Sequence, residues 1–414
     1  MKLTIHPKEQ KGSVPAHRLE ALDLWMSQLV EKKVLPFAMT ILQQGEQLLY
    51  WRWCGQSQPV SGQPIHAETP LRVYSMTKPV TVLSALMLEE QGLLDLEAPV
   101  ENWIPELAGA RALTQPNAPL EDCIELTHGP SLKQLMTHTS GYSYNSPSGS
   151  FLDQALHRKL GGKPNLNLLL STLEELPLAF SPGAAWRYGL GIDVLGMVLM
   201  RVSGKDLGTL MKEQIFDPLG MNDTGFFLPE AEIPNLADLH QVGKEGGYEK
   251  IKDPFPDPAS GRNLNLGDGF PNHWGGAGLF STAADWLKFS NMLRKAVKGE
   301  ENPVANPELI RKMATNQLAG DIASLLPEGP EGFREWMPFE GLGMGLGVWV
   351  AQDSSQLAWN SNPGEFGWGG VANTVFWIDP VSDSSVLFFT QVMPSSQLGL
   401  RVALHRFAAE ILHR

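Results

Sequence analysis

The sequence predicts an α+β fold, an antiparallel sheet flanked by helices and built from both ends of the chain, with a mostly helical domain inserted between. Three observations predict it. Strand-like runs occur at residues 37–42 and 47–53 and again at 345–351, 370–378 and 385–392; the stretch between these groups is mostly helical or irregular; and amphipathic helices lie outside both, at 16–33 and 398–412. At 414 residues the chain is long enough for a large core and for two structural layers or two domains, since cores rarely grow past ~250–300 residues. The expected division is a sheet domain of residues 1–84 and 335–414 and a helical domain of residues 85–334 with irregular insertions.

Leu19, Leu22, Trp25, Met26, Leu29 and Val30 recur at helical spacing and define the first helix. The two strands that follow meet at Gln44-Gly45-Glu46, a hairpin with its glycine in the turn. Arg72-Val73-Tyr74-Ser75 then reads as a strand-like approach to a helix whose apolar face runs through 80–88. Pro79 fixes where that helix begins, because proline is tolerated only in the first turn, where its missing N–H has no partner to lose. Gln91-Gly92 stops it.

A short helix at 132–136 runs into Thr137-His138-Thr139-Ser140-Gly141-Tyr142. Residues 143–166, rich in Ser, Gly, Pro and Asn, read as a surface loop. Helices are expected at 192–202, stopped by Ser203-Gly204, and at 208–215. Residues 228–272 have little periodicity and read as a long insertion or lid. Ser281 or Thr282 caps a helix reaching Leu293. The glycines of 341–347 precede a strand and read as close-packing positions.

The net charge of -13 argues against nucleic acid or an anionic membrane surface as partner. No run approaches ~18 apolar residues and no apolar segment follows the polar start, so no membrane insertion and a cytoplasmic location are expected. Cys54 and Cys123 lack a C-x-x-C partner and read as free thiols.

Ser75 and Lys78 are three residues apart at the start of a helix, so the hydroxyl and the amine stand on one face about a turn apart. Free backbone N–H groups there favour developing negative charge. That is an arrangement for a nucleophile with its own base, and it equally suits an N-cap serine beside a solvated lysine. Other templates are poorly met. No G-x-S-x-G elbow occurs, no H-E-x-x-H occurs, and the ten histidines are scattered, so no metal site is expected. His138 follows a short helix and reads as structural.

Four stretches together resemble the serine β-lactamase and penicillin-binding-protein superfamily, most closely its esterase branch, the family VIII carboxylesterases related to class C β-lactamases. Ser75-Met76-Thr77-Lys78 matches the first motif, and Leu135-Met136-Thr137-His138-Thr139-Ser140-Gly141 the scaffold signature. Tyr188-Gly189-Leu190, followed by Asp193-Val194-Leu195-Gly196, resembles the tyrosine motif, and Trp368-Gly369-Gly370 the esterase version of the third. The resemblance spans nearly the whole chain and implies a β-lactamase/transpeptidase-like fold. It implies Ser75 as nucleophile, Lys78 as its base and Tyr188 as proton relay, with backbone N–H groups of Ser75 and Val371 as the oxyanion hole. No cofactor is implied.

Chemistry accounts for these residue types. A serine hydroxyl is a weak nucleophile until a neighbour takes its proton, and a lysine does so where burial or nearby positive charge disfavours its ammonium. Gly369 and Gly370 let their strand approach substrate closely. Trp368, Tyr142 and Phe366 are candidates to line the acyl or alcohol pocket.

Two departures bear on substrate. Trp368-Gly369-Gly370 replaces the cationic Lys-Thr-Gly-type motif that pairs with a β-lactam carboxylate, and Leu190 replaces an asparagine in the tyrosine motif. Both favour a neutral ester of small to medium acyl chain in an apolar pocket. The alternatives are a β-lactamase, D-aminopeptidase or acyltransferase on the same scaffold, or a non-catalytic member that binds a ligand in the cleft. The intact Ser75, Lys78 and Tyr188 set argues against the last. The expected partner is a small-molecule ester.

Overall fold

The two ends of the chain meet in one antiparallel sheet. In the computed structural model, which describes residues 2–10, 14–144, 146, 149–161, 164–253, 269–326 and 339–412, its strands are β1 (Thr4–Ile5), β2 (Phe37–Gln44), β3 (Gln47–Gln58), β4 (Leu342–Met344), β5 (Trp349–Ala351), β6 (Phe366–Gly369), β7 (Val375–Asp379) and β8 (Ser384–Phe389). They lie in the order β1-β3-β2-β8-β7-β6-β5-β4, with Gln63–Pro64 added to the end of β3. The seam is the pairing of β2 with β8, from Met39 opposite Phe389 to Gln44 opposite Ser384. The expected hairpin of β2 and β3 turns on Gly45, whose φ of 54° lies in the left-handed region that glycine tolerates.

Helices α1 (Ala16–Glu31), α2 (Thr77–Glu90), α3 (Gly191–Ser203), α4 (Ala283–Val297) and α5 (Leu400–Ile411) cover this sheet or pack behind the site. Alternation along the strands sorts them. Phe376 stands opposite Leu387, so Phe376 and Phe388 point to opposite faces. Phe388 meets Trp25 of α1 at 5.8 Å between ring centroids, while Phe376 meets Trp286 and Phe289 of α4 at 5.7 and 6.4 Å. Trp377 stacks on His405 of α5 at 3.8 Å on the α1 side. Sheet between helix layers is therefore the architecture, as the two-ended strand pattern requires. Helix α2 runs behind the site, against α3 and the short helix Pro307–Met313.

Several sequence expectations are corrected. The expected strand at 370–378 is the hairpin of β6 and β7, with residues 370–374 in the turn; the Gly370 N–H bonds the Thr374 carbonyl, and Asn373 takes a φ of 62°. The supposed loop at 143–166 contains helix Phe151–Leu160, opened by a capping box of Ser150 and Asp153. Leu152, Leu156 and Leu160 at intervals of four carried that signal in the sequence. Within 228–272, strands His240–Val242 and Tyr248–Lys250 pair with each other, and Val392–Met393 adds alongside. Residues 254–268 of the expected lid lie outside the described residues, as do 327–338 at the expected domain boundary. Helix α4, from the expected helical domain, packs directly on β7 and β8.

Phe376 is fully buried between Trp286 and Phe289, so truncation leaves a cavity. Phe376→Ala is expected to destabilise the protein by about 3–5 kcal/mol, read from the shift of a urea unfolding midpoint.

Candidate active site

Ser75 lies in a single 3₁₀ turn, Tyr74–Met76, that leads directly into α2. Tyr74 has a φ of 45°, a left-handed conformation that costs a bulky L-residue about 1–3 kcal/mol and turns the chain sharply before the serine. Buried anchors hold it. The Thr77 hydroxyl donates to the Tyr74 carbonyl at 2.6 Å, and the Tyr74 hydroxyl donates to Asp253, which is paired with Arg72. Pro79 falls in the first turn of α2, as its chemistry demands.

Lys78 is wholly buried, and its amine has three partners. Nζ donates to Ser75 Oγ at 3.2 Å, to the Tyr144 hydroxyl at 2.9 Å and to the Gly276 carbonyl at 2.6 Å. An ammonium has three N–H donors, so the charged form is saturated. A neutral amine has two donors and one lone pair. Because two of the three partners are hydroxyls that can donate as well as accept, the site satisfies that form too, with Gly276 as the one fixed acceptor.

Gly276 is held for this role. Its N–H donates to Asp193 Oδ1 at 2.8 Å, and a Cβ at Gly276 would stand 2.4 Å from Asp193 Oδ2, so only glycine fits. The Thr81 hydroxyl donates to the Gly275 carbonyl at 2.7 Å, and the Leu279 N–H donates to Thr77 Oγ1 at 3.1 Å. Residues 275–279 are thereby fixed along α2. Burial raises the Asp193 carboxyl above its ordinary value, against the opposing pull of Lys78 and the Gly276 N–H.

Tyr188 presents its ring to Lys78, with Nζ 4.7 Å from the centroid, and its hydroxyl is hydrogen-bonded to that of Tyr144. Burial first, then Tyr188 and Asp193, hold the Tyr144 hydroxyl well above the ordinary tyrosine range, so it stays protonated. Both tyrosines are positioned by one ion-pair network. Arg187, beside Tyr188, donates from Nε to Ser143 Oγ at 2.7 Å and pairs through Nη2 with Asp153 at 2.5 Å; Ser143, beside Tyr144, also donates to Asp153. His138 packs edge-on against Tyr188 at 4.7 Å and lies over Trp368 at 5.9 Å. Its ring nitrogens find no hydrogen-bond partner among the described residues.

A cleft opens over Ser75 between Tyr188, Trp186, Trp368, Val371 and Arg401. Gly369 and Gly370 also border it. Of the expected pocket residues, Tyr142 and Phe366 are not in the lining. Phe366 shares a strand face with Trp368 but sits one pleat deeper and is fully buried in the core. Tyr142 is buried behind Gly189, where burial raises its hydroxyl's pKa; the tyrosine that reaches the site is Tyr144, two residues on. The apolar pocket expected from the third motif is also qualified, because the Arg401 guanidinium lines the cleft. Sequence reasoning missed Tyr144, Gly276 and Arg401. The pair Gly275-Gly276 was a signal of close approach; Arg401, on an amphipathic helix, gave none.

A serine on a helix start, with a buried lysine and two tyrosines beneath an open cleft, defines the serine-hydrolase site class built on a β-lactamase-like fold. The Beta-lactamase family model matches residues 22–410, and the chain belongs to that family. It is 29% identical over 401 residues to Esterase EstB of Burkholderia gladioli, covering 92% of this chain and 93% of that one. It is 30% identical over 292 residues to the lovastatin esterase of Penicillium rubens, covering 67% of each chain. Among solved structures, EstCE1, described as a hydrolase with promiscuous acyltransferase activity, superposes with a TM-score of 0.75 at 24% identity, covering 96% of this chain and 98% of that one.

Burial first, then the Lys78 charge, hold His138 well below the ordinary histidine value of 6.5. The folded state therefore leaves it neutral while the unfolded state binds a proton below pH ~6.5, so its contribution to stability is present above that value and lost as pH falls. Stability is expected to fall as pH is lowered from 6.5 to 5. Asn tolerates the φ of 58° at this position, so His138→Asn should flatten that part of the stability profile when urea unfolding is compared at the two pH values.

Proposed function

We propose that this chain is a serine carboxylesterase of the family VIII type, hydrolysing esters of small to medium acyl chain through an acyl-Ser75 intermediate. The observation that carries the reading is the shared environment of Lys78: one amine reaches Ser75, touches Tyr144 and lies against the ring of Tyr188, in a site that satisfies both of its protonation states. The esterase names of EstB and of the lovastatin esterase support the substrate class. Two free thiols, Cys54 and Cys123, support a cytoplasmic location, and no helix among the described residues is long and apolar enough to cross a membrane.

In the proposed reaction Ser75 Oγ forms a bond to the ester carbonyl carbon as its proton passes to Lys78 Nζ. The backbone N–H groups of Ser75 and Val371 hold the resulting oxyanion. The Val371 N–H has no partner among the described residues, and an N–H at a helix start has no intrahelical acceptor. Collapse breaks the ester C–O bond, and the leaving alkoxide takes a proton through Tyr188, which the Lys78 ammonium restores. Water then adds to the acyl carbon, gives its proton to the same relay, and the acid departs with Ser75 reprotonated. One ester and one water give one acid and one alcohol. Tyr144 keeps its proton and orders the amine. An alcohol replacing water in the second half turns the same steps into acyl transfer, the second activity ascribed to EstCE1.

The test uses p-nitrophenyl esters of increasing acyl length, nitrocefin, and a phosphonate probe with the adduct mapped by mass spectrometry. Ester turnover with a phosphonate on Ser75 is expected, with nitrocefin turnover far lower. Ser75→Ala and Lys78→Met are expected to reduce kcat by ~10³-fold or more, as for a removed nucleophile or base. A robust ester rate in Ser75→Ala would sink the mechanism, and nitrocefin turnover above ester turnover would overturn the substrate class.

Tyr188→Phe removes the relay, and Tyr144→Phe removes the hydrogen bonds of its hydroxyl to the amine and to Tyr188. The first is expected to cost about 10²–10⁴-fold in kcat, and the second about tenfold, in the same assay.

A further inference from the structure

Arg401 stands at the start of α5, and its guanidinium enters the cleft from the face of β6 opposite to Trp368. Residue 369 makes this approach available. It lies on that face, and a Cβ there would stand 2.5 Å from Arg401 Nη2 and 2.7 Å from Cζ, so the space a side chain would fill is taken by the guanidinium. The start of the helix is fixed in turn: His405 lies 2.8 Å through Nδ1 from the Arg401 carbonyl and is stacked on Trp377.

Among the described residues Arg401 has no carboxylate partner, and its Nε is buried with no acceptor. Burial lowers its pKa to about 10, which still leaves it charged at neutral pH. The side chain as a whole is half-buried, and a partly desolvated cation without a counter-charge carries a cost. Its Nη2 donates to the Gly370 carbonyl at 3.0 Å.

That carbonyl belongs to the same peptide unit as the Val371 N–H. In a trans peptide the C=O and N–H point in opposite directions. Holding the carbonyl end on Arg401 therefore aims the N–H the other way, and a cation on the oxygen draws electron density from the nitrogen and makes the N–H a stronger donor. The adjoining Gly369–Gly370 peptide is held as well. The Gly370 N–H is bound to the Thr374 carbonyl, and a Cβ at Gly370 would meet Thr374 Oγ1 at 2.3 Å and the Val73 carbonyl at 2.6 Å.

We infer that Arg401 is a positioning residue for catalysis, whose guanidinium orients and polarises the Gly370–Val371 peptide so that its N–H stabilises the oxyanion formed at Ser75. The inference rests on the acyl-serine reading and on Val371 as an oxyanion donor. Arg401 need not touch substrate. Its effect appears where charge develops on the carbonyl oxygen, in the transition states of acylation and deacylation, and is absent from ground-state binding of a neutral ester.

The test measures kcat and KM for Arg401→Gln and Arg401→Lys on neutral p-nitrophenyl butyrate and on the anionic mono-p-nitrophenyl ester of succinate. It adds the inhibition constant of a trifluoromethyl ketone, whose adduct with serine carries an oxyanion. Arg401→Gln is expected to lose about ten- to a hundredfold in kcat on the neutral ester, with KM within about twofold, less than deleting an oxyanion donor outright. The ketone should weaken by the same factor as kcat/KM, and Arg401→Lys, which keeps a cationic donor, should recover most of the loss. Unchanged kcat for Arg401→Gln on the neutral ester overturns the inference. So does a loss confined to KM of the succinate ester, which would make Arg401 an anion contact, and so does Arg401→Lys behaving like Arg401→Gln. Absence of a phosphonate adduct on Ser75 in the unsubstituted protein would instead sink the reading on which the inference rests.

Discussion

A single buried amine sets the terms for the rest of this site. Lys78 has no access to water, so every donor and acceptor it needs must come from the protein, and each must be in place before substrate arrives. Three distant segments meet that need. The helix start provides Ser75, the segment before helix Phe151–Leu160 provides Tyr144, and the glycine pair before α4 provides the Gly276 carbonyl. The fixed acceptor is a backbone carbonyl, while the two adjustable ones are hydroxyls. That division lets a proton move without leaving a buried group unpaired.

The sheet gives this arrangement its rigidity. Pairing of β2 with β8 ties the N-terminal strands to the C-terminal ones, and the Tyr74–Met76 turn that leads into α2 lies against β6 of the framework so formed. The turn between β6 and β7 brings the Gly370–Val371 peptide to the cleft that Ser75 lines. Glycine is required there for a geometric reason on each side: Gly369 makes room for Arg401, and Gly370 packs against Thr374 and the Val73 carbonyl. The strain at Tyr74 belongs to the same design, since the sharp turn it provides is held by Thr77 and by the Arg72 and Asp253 pair.

The electrostatics of the cleft differ from those of an apolar groove. The third motif lacks a lysine, yet a cation returns from the opposite face of the strand as Arg401. It is bound to the backbone, so its charge acts on a peptide dipole. Aromatic walls from Trp186, Tyr188 and Trp368 supply the apolar remainder, with His138 packed neutral behind them. Burial keeps this histidine uncharged beside Lys78, and it raises the Asp193 carboxyl above its ordinary value.

By itself the sequence determined what is local or periodic. Helical spacing located α1, α2, α3, α4 and α5, Gly45 marked the hairpin, and Pro79 fixed where α2 begins, because each depends on residues within a turn of one another. Ser75, Lys78 and Tyr188 were legible because four short motifs occur in order. The tertiary structure decided what depends on approach between segments far apart in the chain. Tyr144 lies in a polar loop with no period to mark it, and its partner is 66 residues away. Arg401 looks like any charged residue on an amphipathic helix until the sheet brings Gly370 to it, 31 residues distant in sequence. Phe366 shares a face with Trp368, and only the depth of the sheet separates core from cleft. Pattern within a segment records which side of an element is buried, whereas the identity of what it is buried against is fixed only when the chain closes on itself.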